Sequence, residues 1–297
     1  MAAARTTSPR RVLVLEMNRA LPPSTIRSPR EPSSSQLDTV SKALAKHGVQ
    51  VLRKRSQANQ AQAIVVLGGD GTILSAAEIA REYDIPLLGI NTGHVGFLAQ
   101  AEPAEMLDAI EALAEGDYTV EPRMTLAVSV RQPNGDTSHG WALNEAALER
   151  RDRAHMAEIS LGIDGHAVSS FGCDGLITAT PTGSTAYAFS CGGPVMWPDT
   201  QAMLVVPVAA HALFTRPLVI GPHSRLEVQV QWCGDYPCEI WCDGRRSITA
   251  PAGSTVSVSV AQRPVKLIRI GQMPFSARLV AKFELPVRGW RESKSRS

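Results

Sequence analysis

Nowhere does this 297-residue chain reach the about 18 uninterrupted apolar residues of a membrane helix, so no spanning segment is expected. Cysteine is sparse: Cys173, Cys191, Cys233, Cys238 and Cys242 make an odd count of 5. None of them forms a CxxC pair, which argues against a disulfide framework and against a standard zinc site. Cys233, Cys238 and Cys242 crowd together, but the alternation around them puts them on strands. Buried free thiols in a reducing compartment, the cytoplasm, are the expectation. An excess of one charge is missing too. Lys plus Arg number 30 against 28 Asp plus Glu, a formal net charge of +2, which leaves no strong field for nucleic acid or a lipid surface.

The standard catalytic signatures are also absent. There is no GxxxxGK[ST], no GxGxxG after a strand, and no HRD or DFG pair. No Gly-x-Ser-x-Gly occurs, and His94, His155, His166 and His211 show neither HExxH nor HxxxH spacing, so no metal cage is expected from them. His211 reads as a structural histidine. The opening MAAARTTSPRR is basic and has no acid before Glu16, as in some transit peptides. Its first apolar run, Val12 to Leu15, is too short for a signal-peptide core and reads as a strand.

What is present can fill real cores: 44% of the residues are hydrophobic and 20% charged. Two styles of pattern divide the chain. Up to about residue 122, short β-type runs alternate with helical ones, which predicts parallel strands joined by crossover helices. Strands are expected at Arg11 to Met17, Val49 to Leu52, Ala63 to Leu67 and Pro86 to Ile90. Helices are expected at Gln36 to His47, Ile73 to Tyr83 and Glu102 to Gly116. Leu21 to Ser35, with Pro22, Pro23, Pro29 and Pro32, reads as a mobile loop. From residue 123 the period becomes two, as in Met124, Leu126, Val128 and Val130, with hairpin turns such as Asn134-Gly135 and Asp164-Gly165. The expected fold class is therefore an α/β N-terminal domain with a parallel sheet (1–122) plus an all-β C-terminal domain (123–272). A final segment (273–297) packs back on the first domain, its tail frayed.

Three clusters carry chemistry. Gly68-Gly69-Asp70-Gly71-Thr72 joins a buried strand to a helix, the place where open α/β sheets bind ligands. Glycines let the backbone approach phosphate, and an acid there fits a metal ligand, a proton acceptor or simply a helix N-cap. Asn144-Glu145 follows an apolar run. An adjacent amide and carboxylate can hold a vicinal diol, although a solvated strand end has the same look. The densest run is Asp174 to Pro198, DGLITATPTGSTAYAFSCGGPVMWP. It gathers hydroxyls and free backbone N–H groups before a short helix beginning at Ala186, suited to a nucleotide base or phosphate, or to capping a core loop.

Taken together these segments resemble the NAD kinase family, its actinobacterial branch in particular. The resemblance rests on LGGDGT (67–72), NTGHVGFL (91–98), NEAALER (144–150) and FGCDGLITATPTGSTAYAFSCGGPVMWPD (171–199). HALFTRPLV (211–219) and CDGRR (242–246) add to it. GGDG alone is shared with diacylglycerol and sphingosine kinases, whereas TPTGSTAY behind an upstream NE pair is more discriminating. The stretch Glu16-Met17-Asn18-Arg19 and the Pro/Ser-rich loop after it depart from the family pattern.

The resemblance implies a nucleotide site in a cleft between two domains. It implies phosphorylation of the adenosine-ribose 2′-hydroxyl of NAD by ATP, or by polyphosphate, with a divalent cation, Mg²⁺ by preference. By the same resemblance Asp70 is the catalytic acid–base residue and Gly71 adjoins the NAD phosphates or ribose. Asn144 and Glu145 contact the ribose. Asp174, Thr185, Ala186, Tyr187, Ala188, Phe189 and Ser190 belong to base recognition, and His155 and Arg245 fall at variable NAD contacts. The resemblance also implies a homodimer or homotetramer with a neighbour completing the NAD site. A lipid kinase carrying GGDG and a catalytically silent NAD-binding protein are the competing readings.

Overall fold

The computed structural model describes residues 7–16, 34–93, 96–213, 215–271 and 273–287. Met17 to Arg19, nearly all of the Pro/Ser-rich loop, His94 and the tail after Val287 lie outside the described residues.

The chain divides into two compact units, one running to Pro122 and resuming at Val265, the other covering Arg123–Pro264. In the first unit the order is β1 (Arg11–Glu16), α1 (Ser34–Lys46), β2 (Gln50–Leu52), β3 (Ala63–Leu67) and α2 (Asp70–Glu82). There follow β4 (Leu87–Ile90), α3 (Met106–Glu115) and β5 (Thr119–Arg123). The second unit holds β6 (Leu126–Arg131), β7 (Thr137–Ala142), β8 (Glu145–Glu149), β9 (Ala157–Ile163), β10 (His166–Cys173) and β11 (Gly175–Ala179). It continues with α4 (Tyr187–Ser190), β12 (Met203–Val208), β13 (Leu218–Ile220), β14 (Leu226–Trp232), β15 (Cys238–Cys242), β16 (Arg246–Ala250) and β17 (Thr255–Val260). The chain then returns to the first unit with β18 (Val265–Arg269) and α5 (Phe275–Phe283).

The first unit's sheet has the order β2-β1-β3-β4-β18-β5. The pairs β1–β2, β1–β3, β3–β4 and β4–β18 are parallel. β3 is buried at every position, as a parallel strand covered on both faces must be. Each fully buried Ile, Leu or Val there contributes about 1.5–3 kcal/mol relative to exposure. Val265–Arg269 therefore belongs to this sheet, and the stretch 123–272 read as one domain loses its last residues to the first unit. Periodicity alone could not show this, because VKLIR follows the run of antiparallel strands and is too short to mark which sheet takes it.

The second unit is two antiparallel sheets, β10-β9-β14-β17-β6-β7 and β13-β12-β11-β8-β15-β16, packed face to face. Leu126, Val128, Val130, Ile159, Leu161 and Val228 of one meet Ala146, Leu148, Leu176 and Ile240 of the other. The opposite face of the second sheet is covered as well, by Ala188 and Met196 over Ala147, Ile177, Leu204 and Val206. Burial on both faces explains why β8 and β11 lack the alternation seen in β6. All five cysteines are free, and all but Cys191 are buried. Cys238 and Cys242 lie on β15, while Cys233 falls just beyond β14.

Candidate active site

The Asp70 turn is built by strand packing and a glycine. Gly68 holds φ +151, and a Cβ there would come 2.6 Å from the Thr72 hydroxyl, so the turn into α2 needs glycine. Gly69, not Asp70, is the N-cap of α2, and its carbonyl accepts the N–H groups of Thr72 and Ile73. The capping alternative for Asp70 is thereby removed. Its carboxylate instead reaches the loop after β4, accepting the Phe97 N–H on Oδ2 and the Leu98 N–H on Oδ1, each at 3.1 Å.

That loop is shaped with care. Asn91 is buried, donates to Glu102 Oε2 at 2.8 Å and accepts the Gly93 N–H at 3.1 Å. A Cβ on Gly96 would lie 3.0 Å from Asp70 Cγ and closer still to its oxygen. From the other side α5 supports the loop. The Phe97 ring packs on Phe275 and Phe283 with centroids 5.9 and 5.7 Å away, and buried Arg278 donates to the Ala99 carbonyl and to Gln100 Oε1. Asp70 ends up half-buried with a backbone-held carboxylate, and Gly71 is exposed beside it. Two N–H donors use about half of a carboxylate's lone pairs, leaving both oxygens able to accept again.

Asn144 and Glu145 sit in the second unit, at the start of β8. They are buried, with 8% and 7% exposure, which overturns the solvated strand end. Two clamps hold them. On one side the Thr180 hydroxyl donates to the Leu143 carbonyl at 2.6 Å and the Thr180 N–H to the Asn144 carbonyl at 2.8 Å. On the other, buried Asp243 accepts the N–H groups of Leu143 (2.9 Å) and Asn144 (2.7 Å) and pairs with Arg246 at 2.7 Å. Asn144 Oδ1 and Glu145 Oε2 are buried acceptors with no hydrogen-bond partner among the described residues. Burial, followed by the nearby Asp243 carboxylate, pushes the Glu145 carboxyl up to about 8, against the pull of the Tyr187 N–H.

The TPTGST run turns most of its hydroxyls inward. Thr180 accepts the Gly183 N–H, Thr182 accepts from Arg123, and Ser184 bridges the Pro181 carbonyl and the Met196 N–H. These groups build the loop, which is the core-capping role that the run allowed beside ligand binding. Beyond them, Tyr187, Phe189 and Ser190 are exposed and Thr185 and Ala186 partly so, while the Ala188 side chain is wholly buried in the core. The Tyr187 hydroxyl is pushed up to about 12 by burial and by Glu149, with Cys191 and Asp174 adding. Asp174 pairs with Arg150 at 2.6 Å, and Arg150 also donates to the Asp152 carbonyl. Asp152 accepts the His155 Nδ1 at 3.0 Å, and His155 sets its ring edge-on to Trp232, 5.1 Å between centroids. That hydrogen bond, with the N–H groups of Ala154 and Asp235, holds the Asp152 carboxyl down at about 2.

Within the second unit, then, Asp174, Arg150, Asp152 and His155 form one polar chain, and Glu145 takes the Tyr187 N–H. Arg245 is exposed on the β15–β16 turn, and His211, read as structural, is exposed and pairs through its N–H with the Gly172 carbonyl. Sequence reasoning missed Asp243. Asp243-Gly244 has φ +55 and +61 between two strands, the signature of a hairpin turn, and that signature conceals a buried carboxylate.

Comparison with known proteins decides the family. Residues 23–118 match the family model described as ATP-NAD kinase N-terminal domain, and residues 143–270 match ATP-NAD kinase C-terminal domain. The chain belongs to the NAD kinase family. An NAD kinase from Thermobifida fusca is 53% identical over 235 residues, 77% of this chain and 71% of that one. One from Rhodococcus erythropolis is 51% identical over 231 residues, 78% and 73% of the two chains. Among solved structures, an NAD kinase from Archaeoglobus fulgidus in complex with ATP superposes with TM-score 0.72 at 27% identity, covering 93% of this chain and 98% of its own. Yeast NADH kinase complexed with NADH shares the fold, with TM-score 0.80 at 18% identity over 97% and 93% of the two chains. The NAD kinase C-terminal match begins at Leu143, so it takes in the NE pair and the TPTGST loop, which leaves the lipid-kinase reading with GGDG alone.

Proposed function

We propose that the protein transfers a phosphoryl group from ATP to the 2′-hydroxyl of the adenosine ribose of NAD, giving NADP. The observation that carries this reading is the pair of adjacent buried acceptors, Asn144 Oδ1 and Glu145 Oε2, left without protein partners. A ribose diol supplies two neighbouring O–H donors, and each buried acceptor left unsatisfied costs about 1–3 kcal/mol that such a ligand would recover. Relatives about half identical are named NAD kinase, and structural neighbours were solved with NADH and with ATP.

In this reading Asp70 accepts the proton of the 2′-hydroxyl, and Gly71 adjoins the NAD phosphates or ribose. Asn144 and Glu145 grip the ribose. Asp174, Thr185, Ala186, Tyr187, Phe189 and Ser190 surround the base, Ala188 acting only through the backbone it supports. His155 and Arg245 are peripheral contacts to NAD. Phosphoryl transfer is mostly positioning and charge stabilisation, so a backbone-anchored carboxylate such as Asp70 suits it.

A divalent cation, Mg²⁺ by preference, fits the donor set in one way. Among the described residues no three His, Cys, Asp or Glu side chains cluster as a metal cage. Mg²⁺ is commonly held by one or two carboxylates plus substrate phosphates, so Asp70 would be its protein contact, alongside phosphate oxygens. When bound, the ion spreads the charge of the transferring phosphoryl group. Action in the cytoplasm, as a homodimer or homotetramer, completes the proposal.

The test is a panel assay. Purified protein with Mg²⁺ and either ATP or polyphosphate is offered NAD, NADH or diacylglycerol, with NADP read by an NADP-specific dehydrogenase. NADP from NAD is the expected product. Binding of NAD without turnover at saturating ATP would move the protein to the silent NAD-binding class.

A further inference from the structure

We propose that Asp243 is a positioning residue for substrate binding: its buried carboxylate fixes the Asn144–Glu145 step by holding the backbone on which both side chains stand. The inference deepens the proposed function and rests on Asn144 and Glu145 contacting the ribose.

The geometry is one-sided. Every partner of Asp243 is a donor. Leu143 N–H reaches Oδ1 at 2.9 Å and Oδ2 at 3.1 Å, Asn144 N–H reaches Oδ1 at 2.7 Å, and Arg246 Nη2 reaches Oδ2 at 2.7 Å. The Asp243 N–H in turn donates to the Glu145 carbonyl at 2.9 Å, so the turn and the step are tied in both directions. Arg246 is fixed over the Trp141 ring, 4.3 Å from its centroid. The Asp243 side chain is 1% exposed. Both N–H groups share Oδ1 while Oδ2 takes Arg246 and a longer contact from Leu143, so an asparagine here would turn an NH₂ donor toward two donors.

A charge in that place also acts on Glu145. The groups that face Glu145 are Asp243 from the β15–β16 turn, Cys242 from β15 and the Tyr187 N–H from α4. Burial raises both carboxyls, and the Asp243 carboxylate, ringed by Arg246 and two backbone donors, adds to what burial does to Glu145.

The experiment measures NAD affinity by calorimetry, with kcat and KM, across pH 6–9 for wild type, Asp243→Asn, Arg246→Met, Asn144→Ala and Glu145→Gln. D243N is expected to weaken NAD binding at least about tenfold, the scale of a lost hydrogen bond to a charged group. It is also expected to move the midpoint of the affinity–pH curve down by at least about half a pH unit, because the negative neighbour of Glu145 is gone. A merely structural role would leave that midpoint in place. R246M removes the cation that fixes Oδ2 and so loosens the carboxylate's grip on the two N–H groups; at 30% exposure of Arg246 it keeps the proposal testable if D243N does not fold, and a loss of about threefold or more is expected. Wild-type affinity and midpoint in D243N, or wild-type affinity in R246M, would overturn the inference. If N144A and E145Q bind NAD normally, it is the ribose reading that fails. If they weaken binding and D243N does not, only the role of Asp243 fails.

Discussion

Gly183 lies flat against Asn144: a Cβ at 183 would stand 2.7 Å from the Asn144 Cα and closer still to its carbonyl group. The close approach lets the Thr180 hydroxyl and N–H clamp the strand that carries the NE pair. Gly183→Ala must push the two segments apart, at a cost of about 1–3 kcal/mol of strain. A thermal melt lower by several degrees is expected, with NAD affinity down at least about tenfold in calorimetry.

Gly96 plays the corresponding part for Asp70. Gly96→Ala would drive a methyl group into the carboxylate that Phe97 and Leu98 hold. The clash falls on the carboxylate and not on the sheet's core, so folding should survive and the damage should fall on the orientation of Asp70. Turnover is expected to fall at least about tenfold while NAD affinity stays within about threefold, a pattern that separates kcat from binding.

Glu145 makes stability depend on pH. In the folded, ligand-free protein it keeps its proton up to about pH 8, whereas the unfolded chain releases it near the ordinary glutamate value of about 4.3. Between those limits the unfolded state binds fewer protons, so this group lowers stability as pH rises. Glu145→Gln removes that slope. Denaturant titrations should show the variant gaining on wild type by roughly 1–3 kcal/mol between pH 5 and pH 8. An unchanged difference across that range would mean the carboxyl is not buried as described.

Arg278 ties α5 to the loop that holds Asp70, donating to the Ala99 carbonyl and to Gln100 from a buried position. Arg278→Met leaves the carbonyl unpaired and is expected to cost about 1–3 kcal/mol in a urea melt. Turnover should fall with it, because the 97–101 loop loses its support.

Much of this was legible before any coordinates. The elements of the first unit follow from apolar runs bounded by glycine, and β3 matches Ala63 to Leu67 residue for residue. The hairpins of the second unit follow from period-two alternation and turns such as Asp164-Gly165. Three things were not legible. Val265–Arg269 follows the antiparallel strands in sequence but pairs parallel in the first unit, because strand partnership is a long-range property that local pattern does not encode. Asn144 and Glu145 look like polar strand-end residues, since burial of a polar pair depends on clamps from Thr180 and Asp243, far away in sequence. Asp243 was hidden behind the Asp-Gly turn signal. At Asp70 the sequence left metal ligand, base and cap open; the cap reading falls because Gly69 holds that place, and the carboxylate goes to the N–H groups of Phe97 and Leu98.

The central claim concerns Asp70, and one comparison tests it directly: NADP formation against an NAD-binding isotherm for Asp70→Asn. The account predicts NAD affinity within about threefold of wild type and turnover reduced by a factor of at least about 100. Turnover near the wild-type rate would contradict it and remove Asp70 from the chemistry.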